Sequence, residues 1–176
     1  HDENGLDVEA VRSWITKHGG ISGYPDALSH EDGATVLETD CDILIPAALE
    51  NTITADNANS IKAGWIVEVA NGPISKAADE SLFANGVVIV PDVLANAGGV
   101  IVSYFEWVQN RSAYPWTLQE VRDRLQDKIT QSFEAVWEHK QGHDHFSLRS
   151  AAYALALQNL EAVIKARGTK EYFSQD

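Results

Sequence analysis

Three short apolar runs recur along the first half of the chain, at a spacing of roughly 22 to 24 residues that suits a tight strand–crossover unit. They are Cys41-Asp42-Ile43-Leu44-Ile45-Pro46, Trp65-Ile66-Val67-Glu68-Val69-Ala70 and Val87-Val88-Ile89-Val90-Pro91-Asp92. Each is β-branched and nearly continuous rather than alternating, the pattern of a strand buried on both faces. Between the first two, Thr54 to Lys62 reads as a helix, with Thr54 as its cap and Gly64 beyond its end. Between the second and third, Ser75 to Ala84 reads as another, capped by Ser75 and stopped by Asn85-Gly86. Strand–helix–strand–helix–strand order leaves little choice: the strands pair in parallel through right-handed crossovers.

The flanks are helical. Leu6 to Val11 enters a first helix, with Asp7 as cap, a Leu6–Val11 staple, an apolar face of Val8, Val11 and Ile15, and a stop at Gly19-Gly20. Gly20 to Thr39 is read as loop with a helical turn at its end. After Asn96-Ala97-Gly98-Gly99 a helix runs from Val100 to Asn110, and Ser112 to Trp116 breaks it. Thr117-Leu118-Gln119-Glu120 has the form of a capping box. It opens a helix striped by Leu118, Val121, Leu125, Ile129, Phe133 and Val136 or Trp137. Gln141 to Phe146 is a loop. Ser147 caps a last helix running to Arg167 and stopped by Gly168. Its middle, Ala151 to Leu157, is apolar almost all round and is expected to be heavily buried.

Composition narrows the function classes. The 176 residues include 13 basic and 26 acidic side chains, a net charge of −13, which argues against a phosphate-tracking surface and hence against nucleic acid. No apolar run approaches the roughly 20 residues of a membrane span. The single Cys41 has no partner for an internal disulfide, pointing to a reducing, cytoplasmic compartment, and is read as a packing residue. His143 and His145 flank Asp144, but the stretch reads as solvated loop, and no metal is expected. The chain lacks methionine and opens on His1, so the expectation is a piece of a longer protein.

Ligands of open parallel sheets bind beyond the carboxyl ends of the strands. Here those ends read Pro46-Ala47-Ala48, Ala70-Asn71-Gly72-Pro73 and Leu94-Ala95-Asn96-Ala97-Gly98-Gly99. Small residues admit a planar ligand, and an Asn amide offers two donors and an acceptor. Gly98 and Gly99 open a helix whose free N–H groups can receive a carbonyl or carboxylate. Taken singly, Asn and Gly after a strand are turn residues more often than ligand contacts; two such ends on one sheet edge keep both readings open. Pro91-Asp92 could simply cap a strand end. Ser103, one turn past Gly99, could donate to a carboxylate or bond back to its own helix. Glu106 and Trp107 are expected to pack a core or domain seam.

Several of these segments together resemble the glutamate dehydrogenases. They are Asp42 to Asn51, Ala70-Asn71-Gly72-Pro73, Val90 to Val100 and, most specifically, Val102-Ser103-Tyr104-Phe105-Glu106-Trp107-Val108-Gln109-Asn110. Asn4-Gly5-Leu6-Asp7 and Arg149-Ser150-Ala151-Ala152-Tyr153 extend the likeness over essentially the whole chain. One departure is Val69, where the family usually has Gly.

The resemblance implies an α/β fold: a partial Rossmann-like parallel sheet flanked by helices, followed by an all-helical C-terminal segment. Residues 1–110 would be the C-terminal half of an NAD(P)-binding domain. Residues 111–176 would be helices that return to a substrate domain lying outside this sequence. The implied activity is oxidative deamination of L-glutamate to 2-oxoglutarate and ammonia with NAD or NADP, in a homo-oligomer that is usually a hexamer. Ala47, Ala48, Asn71 and Asn96 would contact the cofactor, Asn96 near the nicotinamide amide. Ser103 would hold the side-chain carboxylate of glutamate and Val100 would wall its pocket. The family's catalytic Lys and Asp, its Gly-rich phosphate loop and its ribose-reading acid have no counterpart here. No catalytic residue is therefore assigned to this chain, and no turnover is expected from it alone. The alternatives are a non-catalytic α/β binding or assembly module, and a leucine or phenylalanine dehydrogenase, against which Ser103 and Tyr104 to Trp107 argue.

Overall fold

The computed structural model describes residues 1–143 and 145–167. Gly168 and Asp144 therefore lie outside the described residues. The chain folds as two compact units, the first His1–Thr39, the second beginning at Asp40.

In the first unit, helix α1 spans Val8–His18. The Asp7 carboxylate accepts from the N–H groups of Glu9 and Ala10, both at 3.0 Å, and Gly19 closes the helix with a left-handed φ of 77°. Trp14 stacks on His18 at 3.7 Å and meets Tyr24 edge-on. The helical turn expected before Thr39 is a 3-10 segment, Gly33–Glu38, capped by Asp32.

The second unit is built on a parallel sheet in the order β1-β2-β3. Strand β1 is Ile43–Leu44, β2 is Trp65–Val67 and β3 is Val88–Val90. Leu44 pairs with Ile66 and Ile66 with Ile89. The parallel order is the one expected, but the burial is not. One sheet face carries Leu44, Ile66 and Ile89, all buried, above a core of Ile53, Ala58, Ala78 and Leu82. On the other, Val88 and Val90 are covered by the helical cluster of Leu94, Val136, Leu148 and Ala151. Ile43, Ile45 and Trp65, on that same face, remain 56%, 55% and 42% exposed. The covering helices pack over β3, and this face of the sheet stays largely open at Ile43, Ile45 and Trp65.

The first crossover is not the expected α-helix. After Ile53, which forms a parallel bridge with Ile74, the chain turns and makes only a short 3-10 segment at Ala58–Ser60. The Asn57 side chain explains this: its Oδ1 accepts from Thr54 N–H at 2.8 Å and its Nδ2 donates to Thr52 C=O at 2.9 Å. An Asn that bonds its own backbone offers an alternative to the helical ladder. The second crossover is the expected helix, α2 at Lys76–Ala84, with the Ser75 hydroxyl accepting from Ala78 N–H.

After β3 come α3 (Asp92–Ala95), α4 (Gly98–Ser112), α5 (Leu118–Gln141) and α6 (Leu148–Arg167). Thr117 and Glu120 form the reciprocal capping box at the start of α5. The α5 stripe packs through Val121, Leu125, Ile129 and Val136, while Leu118 and Phe133 lie exposed. Helix α6 departs further from expectation. Only Leu148 and Ala151 are buried, and residues 156–167 are exposed. Its neighbours α3, α5 and β3 pack on it through Leu148, Ala151, Ala152 and Leu155. Trp107, expected in a core or seam, is 53% exposed, and Arg111 lies over its ring at 5.2 Å. His143 and His145 are exposed as expected; His143 stacks on Phe146 and its Nδ1 bonds His139 C=O.

Candidate functional site

The three strand ends are tied together by their own backbone. Beyond β1, Pro46 C=O accepts from the N–H groups of both Val69 and Ala70, at 3.1 and 2.9 Å. Ala47 and Ala48 follow directly and are exposed, next to the start of the Asn71-Gly72 turn. Beyond β2, the chain needs a left-handed residue to turn back, and Gly72 supplies it at φ 53°. Beyond β3, the single turn of α3 delivers Asn96 as its C-terminal cap, with Asn96 N–H donating to Asp92 C=O at 3.0 Å.

That geometry brings Asn71 and Asn96 into contact. Asn96 Nδ2 donates to Asn71 Oδ1 at 2.6 Å and to Val69 C=O at 3.2 Å. Both Nδ2 protons of Asn96 are thereby used. Among the described residues, Asn96 Oδ1 and Asn71 Nδ2 have no protein partner, leaving an acceptor beside an amide donor at an open strand edge. This is the donor–acceptor pair that a primary carboxamide matches, so the residues present fit the amide of a nicotinamide. Val69 uses its backbone here, and its side chain is 44% exposed.

Ser103 and Val100 are placed separately. Both lie on α4, three residues apart and so on one helix face, and both are exposed. Among the described residues Ser103 Oγ has no hydrogen-bond partner, whereas Ser112 on the same helix bonds back to Val108 and Gln109. The back-bonded alternative for Ser103 is thus not adopted. Neither residue is hydrogen-bonded to the Asn pair. Gly98 and Gly99 open α4 with no side-chain cap.

The residue that sequence reasoning missed is Arg149, in the first turn of α6. Its guanidinium bonds Glu68 through two 2.8 Å contacts, Asp79 at 3.0 Å and Asp92 at 3.3 Å. Glu68 is wholly buried and also accepts from Asp92 N–H at 2.8 Å. Burial pushes the Glu68 carboxyl above its usual pKa, against the opposing pull of that N–H and of Arg149. Arg149 is held above its own usual value by Glu68 and Asp79 despite the cost of burial. Asp92 does more than cap a strand end: its Oδ2 accepts from Gly72 N–H at 2.9 Å and its Oδ1 from Val93 N–H at 2.8 Å. One signal was available in the sequence: a lone acid, Glu68, inside an otherwise apolar strand run requires a cation.

The family model for glutamate/leucine/phenylalanine/valine dehydrogenases matches residues 1–168. The chain belongs to this family. It is 45% identical to the NADP-specific glutamate dehydrogenase of Synechocystis sp., covering 98% of this chain and 42% of that protein. Against the NAD-specific glutamate dehydrogenase of Staphylococcus aureus it is 41% identical, covering 96% of this chain and 40% of that one. The hetero-hexameric glutamate dehydrogenase of Thermus thermophilus, solved with Leu bound, superposes over 96% of this chain and 39% of its own at a TM-score of 0.83 and 31% identity. The chain therefore spans about two fifths of the length of these dehydrogenase relatives. Among the described residues no helix is long and apolar enough to cross a membrane.

Proposed function

We propose that this chain is the nicotinamide side of a glutamate dehydrogenase. It would belong to an oxidoreductase that converts L-glutamate to 2-oxoglutarate and ammonia with NAD or NADP. One observation carries the reading: the Asn71–Asn96 contact presents a free acceptor and a free amide donor at adjacent strand ends. These two residues would hold the carboxamide, with Ala47 and Ala48 lining the approach. The nicotinamide, when bound, supplies the hydride acceptor. The unpartnered Ser103 hydroxyl donates to the side-chain carboxylate of glutamate and so fixes the α-carbon in place, while Val100 walls the pocket. Acid–base groups come from sequence outside these residues. In this reading residues 1–110 belong to the cofactor domain, residues 111–176 return to the substrate domain, and the whole enzyme is a cytoplasmic homo-oligomer, a hexamer by family habit.

The test is steady-state kinetics on the full-length chain containing this sequence. Glutamate-dependent formation of reduced nicotinamide is expected. Ser103→Ala should raise KM for glutamate tenfold or more while kcat changes less, since a hydrogen bond to a charged group is worth about 1.5–3 kcal/mol. An unchanged KM would remove Ser103 from the substrate site.

A further inference from the structure

We propose that Arg149 is a positioning residue for the nicotinamide site, acting through Asp92 on both members of the Asn pair. The inference rests on the cofactor reading above and adds to it a role for the last helix. Asp92 is the pivot. Its side chain takes the N–H of Gly72, the residue next to Asn71, and its carbonyl takes the N–H of Asn96. A single residue thus sets where both amides stand. Asp92 is fixed in turn from two directions: its N–H is held by buried Glu68, and its Oδ1 by Arg149. Arg149 closes the circuit by gripping Glu68 with its other contacts and anchoring on Asp79 of α2. The side chains of Glu68, Asp79, Asp92 and Arg149 are 0%, 20%, 18% and 22% exposed, so the network sits where solvent does little to loosen it.

The chemistry favours arginine specifically. Three carboxylates converge from the residue just past β2, from α2 and from α3, and only a planar guanidinium with five donors can bond all of them in one geometry. A lysine ammonium keeps the charge but not the fork. The network therefore couples the seating of α6 on the sheet to the spacing of the Asn71 and Asn96 amides.

The experiment compares binding of NADH or NADPH with binding of ADP-ribose, which lacks the nicotinamide, by titration calorimetry on the full-length chain. Arg149→Lys is expected to weaken reduced-nucleotide binding about tenfold, within the range of coupling through a packed network, and to leave ADP-ribose binding unchanged. Asp92→Asn is the second variant, and carries the test if Arg149→Lys does not fold. An amide with one oxygen cannot hold Gly72, Val93 and Arg149 together, so the same nicotinamide-selective loss is expected. Equal weakening of both ligands would mean a general structural role and overturn the proposal, as would unchanged binding in a folded variant. Failure of the wild-type chain to bind either ligand would overturn the cofactor reading, and this inference with it.

Discussion

Leu148 and Ala151, in the first turn of α6, are 3% and 0% exposed; Leu157, Leu160, Val163 and Ile164, further along the same helix, are 65%, 59%, 50% and 56% exposed. The sequence is as apolar in the second stretch as in the first. What differs is the company. The first turn packs on Leu94, Val136 and the underside of β3, and it plants Arg149 among three acids. Among the described residues, the apolar side chains of the later turns are left largely uncovered. Hydrophobic pattern reports how much surface calls for cover, and topology alone decides whether the chain supplies it. The polar groups obey a stricter rule. A buried carboxylate such as Glu68 is tolerable only when paired and hydrogen-bonded, and the fold supplies its partners, Arg149 and Asp92 N–H, from within.

The largest expected effect follows from that rule. Arg149→Ala leaves Glu68 buried without its cation, and breaking such a pair costs about 3–5 kcal/mol, read from the midpoint of urea unfolding of the same full-length chain. A loss below about 1 kcal/mol would place the network with surface ion pairs and erase the contrast drawn above. Next comes packing. Leu148→Ala should cost about 2–5 kcal/mol as a buried large-to-small change, while Leu160→Ala in this chain should stay within about 0.5 kcal/mol. Comparable losses at the two positions would show that the exposed half of α6 is covered after all.

Much of this was legible beforehand. Asp7, Ser75 and Thr117 sit before apolar-periodic stretches and cap the helices they announce, because a cap is a local bond within three residues. The parallel sheet follows from the strand–helix–strand–helix–strand order, and the rule that strand ends share an edge puts Asn71 and Asn96 on one side of it, while their direct contact is seen only in the fold. The failures are of two kinds. Thr54 to Lys62 carries the cap and stop of a helix, Thr54 and Gly64, but Asn57 inside it bonds the backbone on its N-terminal side and diverts the chain from the helical ladder. The Arg149 network was invisible because its partners lie up to 81 residues away, and no local pattern records a contact of that range. The expectation of two-sided strand burial erred for the same reason: which helix crosses which strand is a long-range fact.

The N-terminal cap of α5 offers a third, smaller test, since it is a polar network in the open. Thr117→Ala removes a side-chain acceptor for Glu120 N–H and should cost about 1 kcal/mol. Its partner Glu120 titrates in the opposite sense to Glu68, and pH separates the two environments. The Thr117 N–H and hydroxyl hold Glu120 below its ordinary value of 4.5. Its contribution to stability is therefore present above pH 4.5 and is lost as pH falls through the lowered folded value. Glu68 is raised above 4.5, chiefly by burial. Its contribution is fully present below 4.5 and is lost as pH rises through the raised folded value. Unfolding free energies measured against pH for Glu68→Gln and Glu120→Gln, each subtracted from wild type, should accordingly slope in opposite directions. The Glu68 difference should grow on acidification toward pH 4.5, and the Glu120 difference should shrink on acidification below it. Slopes of the same sign would mean that the carboxylate facing Arg149 is not paying for its burial, and that the polar interior at the start of α6 behaves like the surface.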